Sequence, residues 1–87
     1  MAETDEQLDK IVEVFGLLVE DSAVPRNVRT RIQTAKDRLS GKEEFSTRVS
    51  AAIYALDEVS NDINLPMHAR TLIWNLLSEL ESLKSKA

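Results

Sequence analysis

A single histidine is the residue of this sequence best suited to acid–base chemistry near neutral pH. His68 follows a polar turn, Asn61–Asn64, and precedes a helical apolar pattern. Two interpretations are open: a ligand or proton relay, or a helix-start histidine that hydrogen-bonds this turn. One His without any Cys does not supply an ordinary zinc site. Acyl transfer needs a nucleophile, a base and an orienting partner, and no such set occurs. We predict no catalytic residue, no cofactor and no metal.

Two Asp–Arg pairs recur at equal spacing. Asp21 and Arg29 are eight residues apart, as are Asp62 and Arg70. Each arginine could bind an anion with the help of a helix N-terminus. Alternatively, each could pair with its own aspartate across an inter-helix turn and fix the geometry of a hairpin. Occurrence of the pair in both places favours the structural role, which predicts that Arg70→Ala lowers thermal stability.

Basic residues are concentrated in one segment. Residues 24–42 have a charge balance of +5, whereas residues 1–21 carry −6 and residues 43–62 carry −4. The bases are Arg26, Arg29, Arg31, Lys36, Arg38 and Lys42. At about 100° per residue they scatter around a helix, and no aromatic residue is interleaved to stack on bases. A solvated helix beside acidic neighbours is favoured over nucleic-acid contact.

A second apolar strip is predicted on the last helix. Trp74 lies about 140° around the helix from the core position Ala69. Met67 and Leu77 lie on the same side as Trp74, next to Arg70. Tyr54 and Leu17 are similarly displaced from the apolar stripes of their helices. Trp, Tyr and Met are enriched at interface cores, so these residues either form an interface with a partner or cover a neighbouring helix in the monomer.

An internal repeat with an offset of 41 residues organises the chain. The segment Leu65–Glu81 aligns with Val24–Leu39. The matched positions are Asp21 with Asp62, Pro25 with Pro66, Arg29 with Arg70, Thr30 with Thr71, Ile32 with Ile73, and Leu39 with Leu80. The pattern predicts two copies of one helical hairpin, over about residues 4–41 and 45–84, within a single domain spanning 1–87.

Apolar residues at i, i+3, i+4 and i+7 predict four helices. Thr4 and Gln7 have the spacing of a capping box at the start of the first helix. The predicted helices cover about 4–20, 25–40, 47–60 with Ser46 as cap, and 66–84. Gly16 inside the first helix suggests a close helix crossing. The expected fold is an all-α four-helix bundle made of duplicated hairpins, with stacked hairpins as the other arrangement.

The composition is typical of a folded helical domain. Of the 87 residues, 43% are hydrophobic and 30% charged, the formal net charge is −4 and there is no Cys. The absence of Cys excludes a disulfide framework. The acidic N-terminal MAETDEQL lacks the apolar region of a signal peptide. No apolar run approaches the roughly 18 residues of a membrane span. We expect a cytoplasmic protein without a membrane segment.

Two resemblances follow from these patterns. The repeat is similar in period to HEAT units, although the Asp–Arg spacing is wider here and solenoids need about three repeats. ALDEVSNDINLPMHARTLIWNLLSELE (55–81) and VEDSAVPRNVRTRIQTAKDRL (19–39) resemble the two halves of the uncharacterised archaeal protein family 0147. That resemblance covers nearly the whole chain and implies an archaeal, cytoplasmic, all-helical four-helix protein. It implies no activity.

Three classes of function are compatible with these patterns. The favoured hypothesis is a non-enzymatic interaction or assembly module, with a homodimer through the strip on helix 4 as one form. The second is a small nucleic-acid-associated protein that uses the basic helix 2. An enzyme is the least favoured class, because no Gly-rich phosphate loop occurs and the Glu-x-x-His pairs of carboxylate-bridged metal bundles are absent.

Overall fold

Four α-helices joined by short turns form the computed structural model, which describes the backbone of residues 2–86 and the side chains of residues 6–85. The helices are α1 (Ala2–Glu20), α2 (Arg26–Leu39), α3 (Phe45–Ser60) and α4 (Met67–Lys86). The described residues contain no strand. The prediction of an all-α protein with four helices is therefore confirmed. No helix in the described range has both the length and the hydropathy of a membrane span.

The helix ends differ slightly from the predicted ones. Pro25 and Pro66 stand immediately before α2 and α4, and their carbonyl oxygens accept hydrogen bonds from the N–H groups of Arg29 and Arg70, both at 2.9 Å. α1 begins at Ala2, so Thr4 lies inside the helix rather than at its cap, and the Thr4 side chain lies outside the described residues.

α3 begins at Phe45 instead of after Ser46, because Arg48 organises the connector. Nη1 of Arg48 donates to the carbonyl oxygen of Leu39 at 2.9 Å, and Nε donates to that of Glu43 at 3.1 Å. The guanidinium carbon lies 5.3 Å from the centroid of the Phe45 ring. One side chain thus holds the end of α2, the connector and the start of α3 together.

The helices form a closed ring. The backbones of α1 and α2, α2 and α3, α3 and α4, and α4 and α1 lie next to each other, whereas no Cα atoms of the diagonal pairs come within 8 Å of each other among the described residues. Stacked repeats would instead place α1 on α3 and α2 on α4, so the arrangement is an up-down-up-down bundle. In this order both hairpin turns, 21–25 and 61–66, lie at the same end of the bundle.

The core follows the predicted 41-residue register. Buried residues of the first hairpin have partners 41 residues later that are also buried. These pairs are Ile11/Ala52, Phe15/Leu56, Leu18/Val59, Val24/Leu65, Val28/Ala69, Ile32/Ile73, Ala35/Leu76 and Leu39/Leu80. No polar or charged residue is buried among the described side chains. The core that holds the four helices together is therefore apolar and is built from repeat-equivalent positions of the two hairpins.

Gly16 does not mark a helix crossing. A Cβ atom built at this position would meet no heavy atom of a neighbouring element within 4 Å. The prediction of a close approach at Gly16 is wrong, because α2 and α4 pack against other faces of α1.

Candidate functional site

Two side chains of the predicted strip on helix 4 are exposed to solvent. Met67 is 65% exposed and Trp74 is 53% exposed. The two residues are seven positions, or two turns, apart and so lie on one face of α4. Trp74 is not part of the monomer core, which leaves a large apolar surface uncovered by the chain itself. We call Met67 and Trp74 the α4 strip.

Arg70 and Leu77 lie beside the α4 strip, but neither residue adds exposed apolar surface to it. Leu77 is partly buried and packs against the core. Arg70 is half-buried, and its Nη2 donates to the carbonyl oxygen of Asp62 at 2.7 Å. Both residues therefore contribute to the stability of the bundle and form the edge of the strip.

Tyr54 belongs to a different surface. It is 70% exposed and lines a groove between α2 and α3 together with Arg31 and Arg38. Trp74 lies about 160° around α4 from Leu72, which faces α1 in the opposite groove. The structure thus brings Tyr54 to the basic face of α2 and does not bring it to Trp74.

Among the exposed residues of α4 from 67 to 78 there is no carboxylate, ammonium or guanidinium group, and Arg70 is half-buried at the edge of the α4 strip. From 67 to 78, the exposed residues of α4 are Met67, His68, Thr71, Trp74, Asn75 and Ser78. Beyond this stretch α4 exposes Glu79, Glu81 and Lys84, and the first twelve residues of α3 likewise expose no charged side chain. Depletion of charge around large apolar side chains is typical of the core of a protein–protein interface.

The two repeated aspartates organise the turn end of the bundle. Oδ1 of Asp21 accepts from the N–H of Ala23 at 2.9 Å, and Oδ1 of Asp62 accepts from the N–H of Asn64 at 2.8 Å. These Asx-type bonds satisfy the backbone of both hairpin turns in the same way. Each aspartate keeps its second carboxylate oxygen for another partner.

The second carboxylate oxygens connect the two hairpins to each other. Oδ2 of Asp21 accepts from Nε2 of His68 at 2.6 Å, and Oδ2 of Asp62 lies 3.4 Å from Nη1 of Arg31. The predicted pairing of each aspartate with the arginine of its own hairpin is therefore wrong for the carboxylates. Ring closure places a helix of the other hairpin nearer to each carboxylate.

The repeat-equivalent arginines have different environments. The Arg70 side chain reaches the carbonyl oxygen of Asp62, whereas the Arg29 side chain makes no hydrogen bond or ion pair within the described residues. The Nε atoms of both arginines are buried without a hydrogen-bond partner. Arg29 acts on Asp21 through its charge, since that charge is among the causes that lower the carboxyl pKa.

His68 connects α4 to the end of α1 through its hydrogen bond to Asp21. The structural interpretation of the sequence, in which His68 hydrogen-bonds the Asn61–Asn64 turn, is therefore wrong. The hydrogen bond from His68, followed by that from the N–H of Ala23, lowers the pKa of Asp21 below its ordinary value of 3.8. The described residues contain no group of three or more His, Asp or Glu side chains placed to hold a metal ion.

Comparison with known proteins identifies the family. The profile of an uncharacterised protein family, UPF0147, matches residues 1–83. The chain belongs to UPF0147. A UPF0147 protein of Methanothermobacter thermautotrophicus is 44% identical over 82 residues, which are 93% of this chain and 80% of the relative. A UPF0147 protein of Pyrococcus abyssi is 41% identical over 86 residues, covering 97% of this chain and 100% of the relative.

A solved UPF0147 structure has the same fold. The crystal structure of a protein of this family from Thermoplasma acidophilum has a TM-score of 0.90 and 32% identity, covering 95% of this chain and 99% of that one. The resemblance to the archaeal family, expected from residues 19–39 and 55–81, is confirmed. UPF0147 is described without an activity, so the surface of the molecule is the source of information about function.

Sequence reasoning missed one exposed residue of this UPF0147 chain. Ile63, in the turn before α4, is 91% exposed. The repeat alignment contained the signal, since it places Ile63 opposite the small polar Ser22. Comparing the two hairpins for changes of polarity, as well as for matches, would have found it.

Proposed function

We propose that this UPF0147 chain is a non-enzymatic protein-interaction module that self-associates through the α4 strip. The observation that supports the proposal is a comparison between its two hairpins. The buried positions are apolar in both hairpins. The large exposed apolar residues of one hairpin, in contrast, align with polar residues 41 positions away in the other. These pairs are Leu17/Glu58, Glu13/Tyr54, Ser22/Ile63, Arg26/Met67 and Gln33/Trp74.

The first hairpin serves as an internal control for folding. It packs into the same ring with Arg26 and Gln33 where the second hairpin has Met67 and Trp74. An exposed apolar residue at these two positions is therefore not needed to build a hairpin. Exposed apolar surface that folding does not require is typical of an interaction site.

The lack of exposed carboxylate, ammonium and guanidinium groups favours a second copy as the partner. A two-fold symmetric interface places the same patch on both protomers, so any charge in its centre meets a like charge or must be paired. The exposed residues around Met67 and Trp74 include no carboxylate, ammonium or guanidinium group, and the half-buried Arg70 at the edge is paired with the carbonyl oxygen of Asp62. An antiparallel pair of α4 helices would set Trp74 of one copy against Met67 of the other, and sulfur–aromatic contacts of this kind are favourable.

The size of the strip sets the expected affinity. A standard stable interface buries about 800 Å² on each partner. Two exposed side chains, one of them about half-covered, form only the centre of such a surface. We expect a concentration-dependent dimer with a Kd on the order of micromolar.

Sedimentation equilibrium over a dilution series tests the proposal with residues taken from the first hairpin. The variants Met67→Arg and Trp74→Gln install the repeat-equivalent residues and should each weaken dimerisation at least tenfold. Leu17→Glu is the matched control, because it replaces an exposed leucine on α1 by its repeat equivalent, and it should leave the dimer unchanged.

Two results would count against this assignment. A wild-type chain that stays monomeric at millimolar concentration would exclude self-association. A dimer that resists both α4 substitutions but dissociates in Leu17→Glu would move the interface to α1. Circular dichroism of each variant verifies that the helices are intact.

A further inference from the structure

The groove between α2 and α3 combines cations with an exposed aromatic ring. Arg31 and Arg38 line it from α2, while Tyr54 and Glu58 line it from α3, and Ala51 and Ala55 are also part of the lining. The two alanines have short side chains, which leave the phenol ring of Tyr54 70% exposed. The aromatic residue that helix 2 lacks in the sequence is thus supplied by the neighbouring helix.

Three exposed cations lie in or beside this groove, and two of them have no ion pair in the part of the chain that the structure describes. Arg38 lines the groove, and Lys42 lies in the adjoining depression, which Arg38 shares with Asp37 and Glu43. Arg38 and Lys42 are exposed and have no ion pair within the described residues.

The Arg31 side chain is 44% exposed, and a phosphate would compete with its ion pair to Asp62, at 3.4 Å, which connects the two hairpins. Arg31 and Arg38 are seven helical residues apart, which corresponds to about 10.5 Å along α2. Arg48, in contrast, is held by the carbonyl oxygens of Leu39 and Glu43.

The groove between α1 and α4, on the opposite side of the bundle, shows that folding does not require arginines and an exposed aromatic ring at these positions. Between α1 and α4, the residues 41 positions away from Arg31 and Arg38 are Leu72 and Glu79, which line an equivalent groove. The position equivalent to Tyr54 is Glu13. The α1–α4 groove has apolar, amide and acidic side chains with one base, Lys10, whereas the α2–α3 groove has two arginines, Tyr54 and one acid, Glu58.

We propose that the α2–α3 groove binds single-stranded nucleic acid, with one base stacked on Tyr54 and phosphates on Arg31, Arg38 and Lys42. Stacking on an aromatic side chain tolerates any base, and cations along the groove follow the backbone. The axial rise of a stacked strand is about 3.4 Å per nucleotide, so the separation of Arg31 and Arg38 along α2 corresponds to the axial rise of about three nucleotides.

An unpaired strand fits this groove better than a duplex or an acidic peptide. In a duplex the bases are stacked on each other, and the ring of Tyr54 would have no free face to contact. An acidic peptide would engage the arginines but offers no planar group for the phenol ring. Glu58, which lines the groove beside Tyr54, repels all three of these anionic ligands and does not discriminate between them.

The expected binding is weak and depends strongly on salt. Each phosphate contact on a single strand contributes about −0.7 to the slope of log K against log salt. Three cations therefore predict a slope of about −2. The formal net charge of −4 keeps general attraction to the polyanion low, so the groove must supply the affinity.

The test is fluorescence anisotropy of a labelled oligothymidylate of about a dozen nucleotides, titrated with the full chain at several salt concentrations. Tyr54→Ala should weaken binding about fivefold or more, whereas Tyr54→Phe should retain it. Arg38→Ala should weaken binding and reduce the salt slope to about −1.4. Trp74→Gln should have no effect, which separates this site from the α4 strip.

A charge-matched pair of variants distinguishes the groove from the net charge of the protein. Glu58→Gln removes a carboxylate from the groove and should tighten binding. Glu13→Gln removes one from the opposite face of the bundle and should leave binding unchanged. Equal tightening in both variants would show that only overall charge matters and would overturn the proposal.

Three further outcomes would overturn it. The first is no binding at low salt. The second is unaltered binding in Tyr54→Ala, which would exclude stacking. The third is equal or tighter binding of a duplex of the same length or of a poly-glutamate competitor, which would assign the groove to another class of ligand.

Discussion

The repeat-equivalent arginines separate two roles that look identical in the sequence. Nη2 of Arg70 satisfies the carbonyl oxygen of Asp62 at 2.7 Å in a partly buried setting. The Arg29 side chain has no such acceptor among the described residues. A hydrogen bond from a charged donor contributes about 1.5–3 kcal/mol, so position 70 should matter more for stability than position 29.

Urea denaturation of the two alanine variants measures this difference. Arg70→Ala should lower the free energy of unfolding by about 1–3 kcal/mol, and Arg29→Ala should lower it by clearly less. The two positions share their helix context and Nε burial, so each variant is the control for the other. Equal losses would mean that the bond to the Asp62 carbonyl oxygen contributes nothing measurable.

The same residues show what sequence reasoning could not predict. Asp21 and His68 are 47 positions apart and meet because α1 packs against α4. Spacing along one segment cannot reveal such a partner, since it depends on how the ring closes. The spacing also could not show that Arg70 donates its hydrogen bond to the main-chain carbonyl oxygen of Asp62 and not to the Asp62 carboxylate.

At the level of elements, the helices themselves were predictable. The 3.6-residue period identified all four, and most boundaries differ by one or two residues from the predicted ones. α3 starts two residues before the predicted position, where the side chain of Arg48, one turn inside the helix, donates to the carbonyl oxygens of Leu39 and Glu43. Cap rules consider Ser46 and its neighbours, not a guanidinium from the following turn.

Within α1, Gly16 is an avoidable weakness. Glycine in a helix interior costs about 1 kcal/mol relative to alanine, and a Cβ at this position meets no atom within 4 Å. Gly16→Ala should therefore raise the free energy of unfolding by about 1 kcal/mol, measured by urea denaturation.

Gly41 provides the comparison for that substitution. A Cβ at Gly41 would lie 2.9 Å from Oε1 of Glu43 and 3.2 Å from the carbonyl oxygen of Arg38. Gly41→Ala should be neutral or destabilising, because the backbone oxygen cannot move away easily. A Gly16→Ala variant no more stable than wild type would show that position 16 meets an obstacle absent from this packing.

At the scale of the whole molecule, the two hairpins are joined by the apolar core and, at the turn end, by the His68–Asp21 and Arg31–Asp62 pairs. The pKa of Asp21 is lowered by the hydrogen bond from His68, by the N–H of Ala23 and by nearby positive charge. A carboxyl whose pKa is lower in the folded than in the unfolded state stabilises the fold above its unfolded pKa. That contribution disappears as the pH falls through the folded value.

Asp21→Asn tests this linkage, because the amide oxygen can still accept from the N–H of Ala23. The variant should be less stable than wild type at neutral pH, and the difference should vanish as the pH falls below the ordinary Asp value of 3.8. Because the carboxylate is solvent-screened, the effect should be small. Chemical denaturation of both proteins at neutral pH and below pH 3.8 provides the measurement. A stability difference that does not change with pH would contradict the assigned role of the Asp21 carboxylate.

The ring of contacts also has a consequence for the order of the helices along the chain. Because α1 and α4 are antiparallel neighbours, the first residue of α1 and the last of α4 lie at the end of the bundle that also holds the α2–α3 connector. Exposed connectors tolerate circular permutation. A chain opened between α2 and α3, with a short linker from α4 to α1, would trace the same ring in the order α3, α4, α1, α2. The order of the two hairpins along the polypeptide is therefore not dictated by their packing.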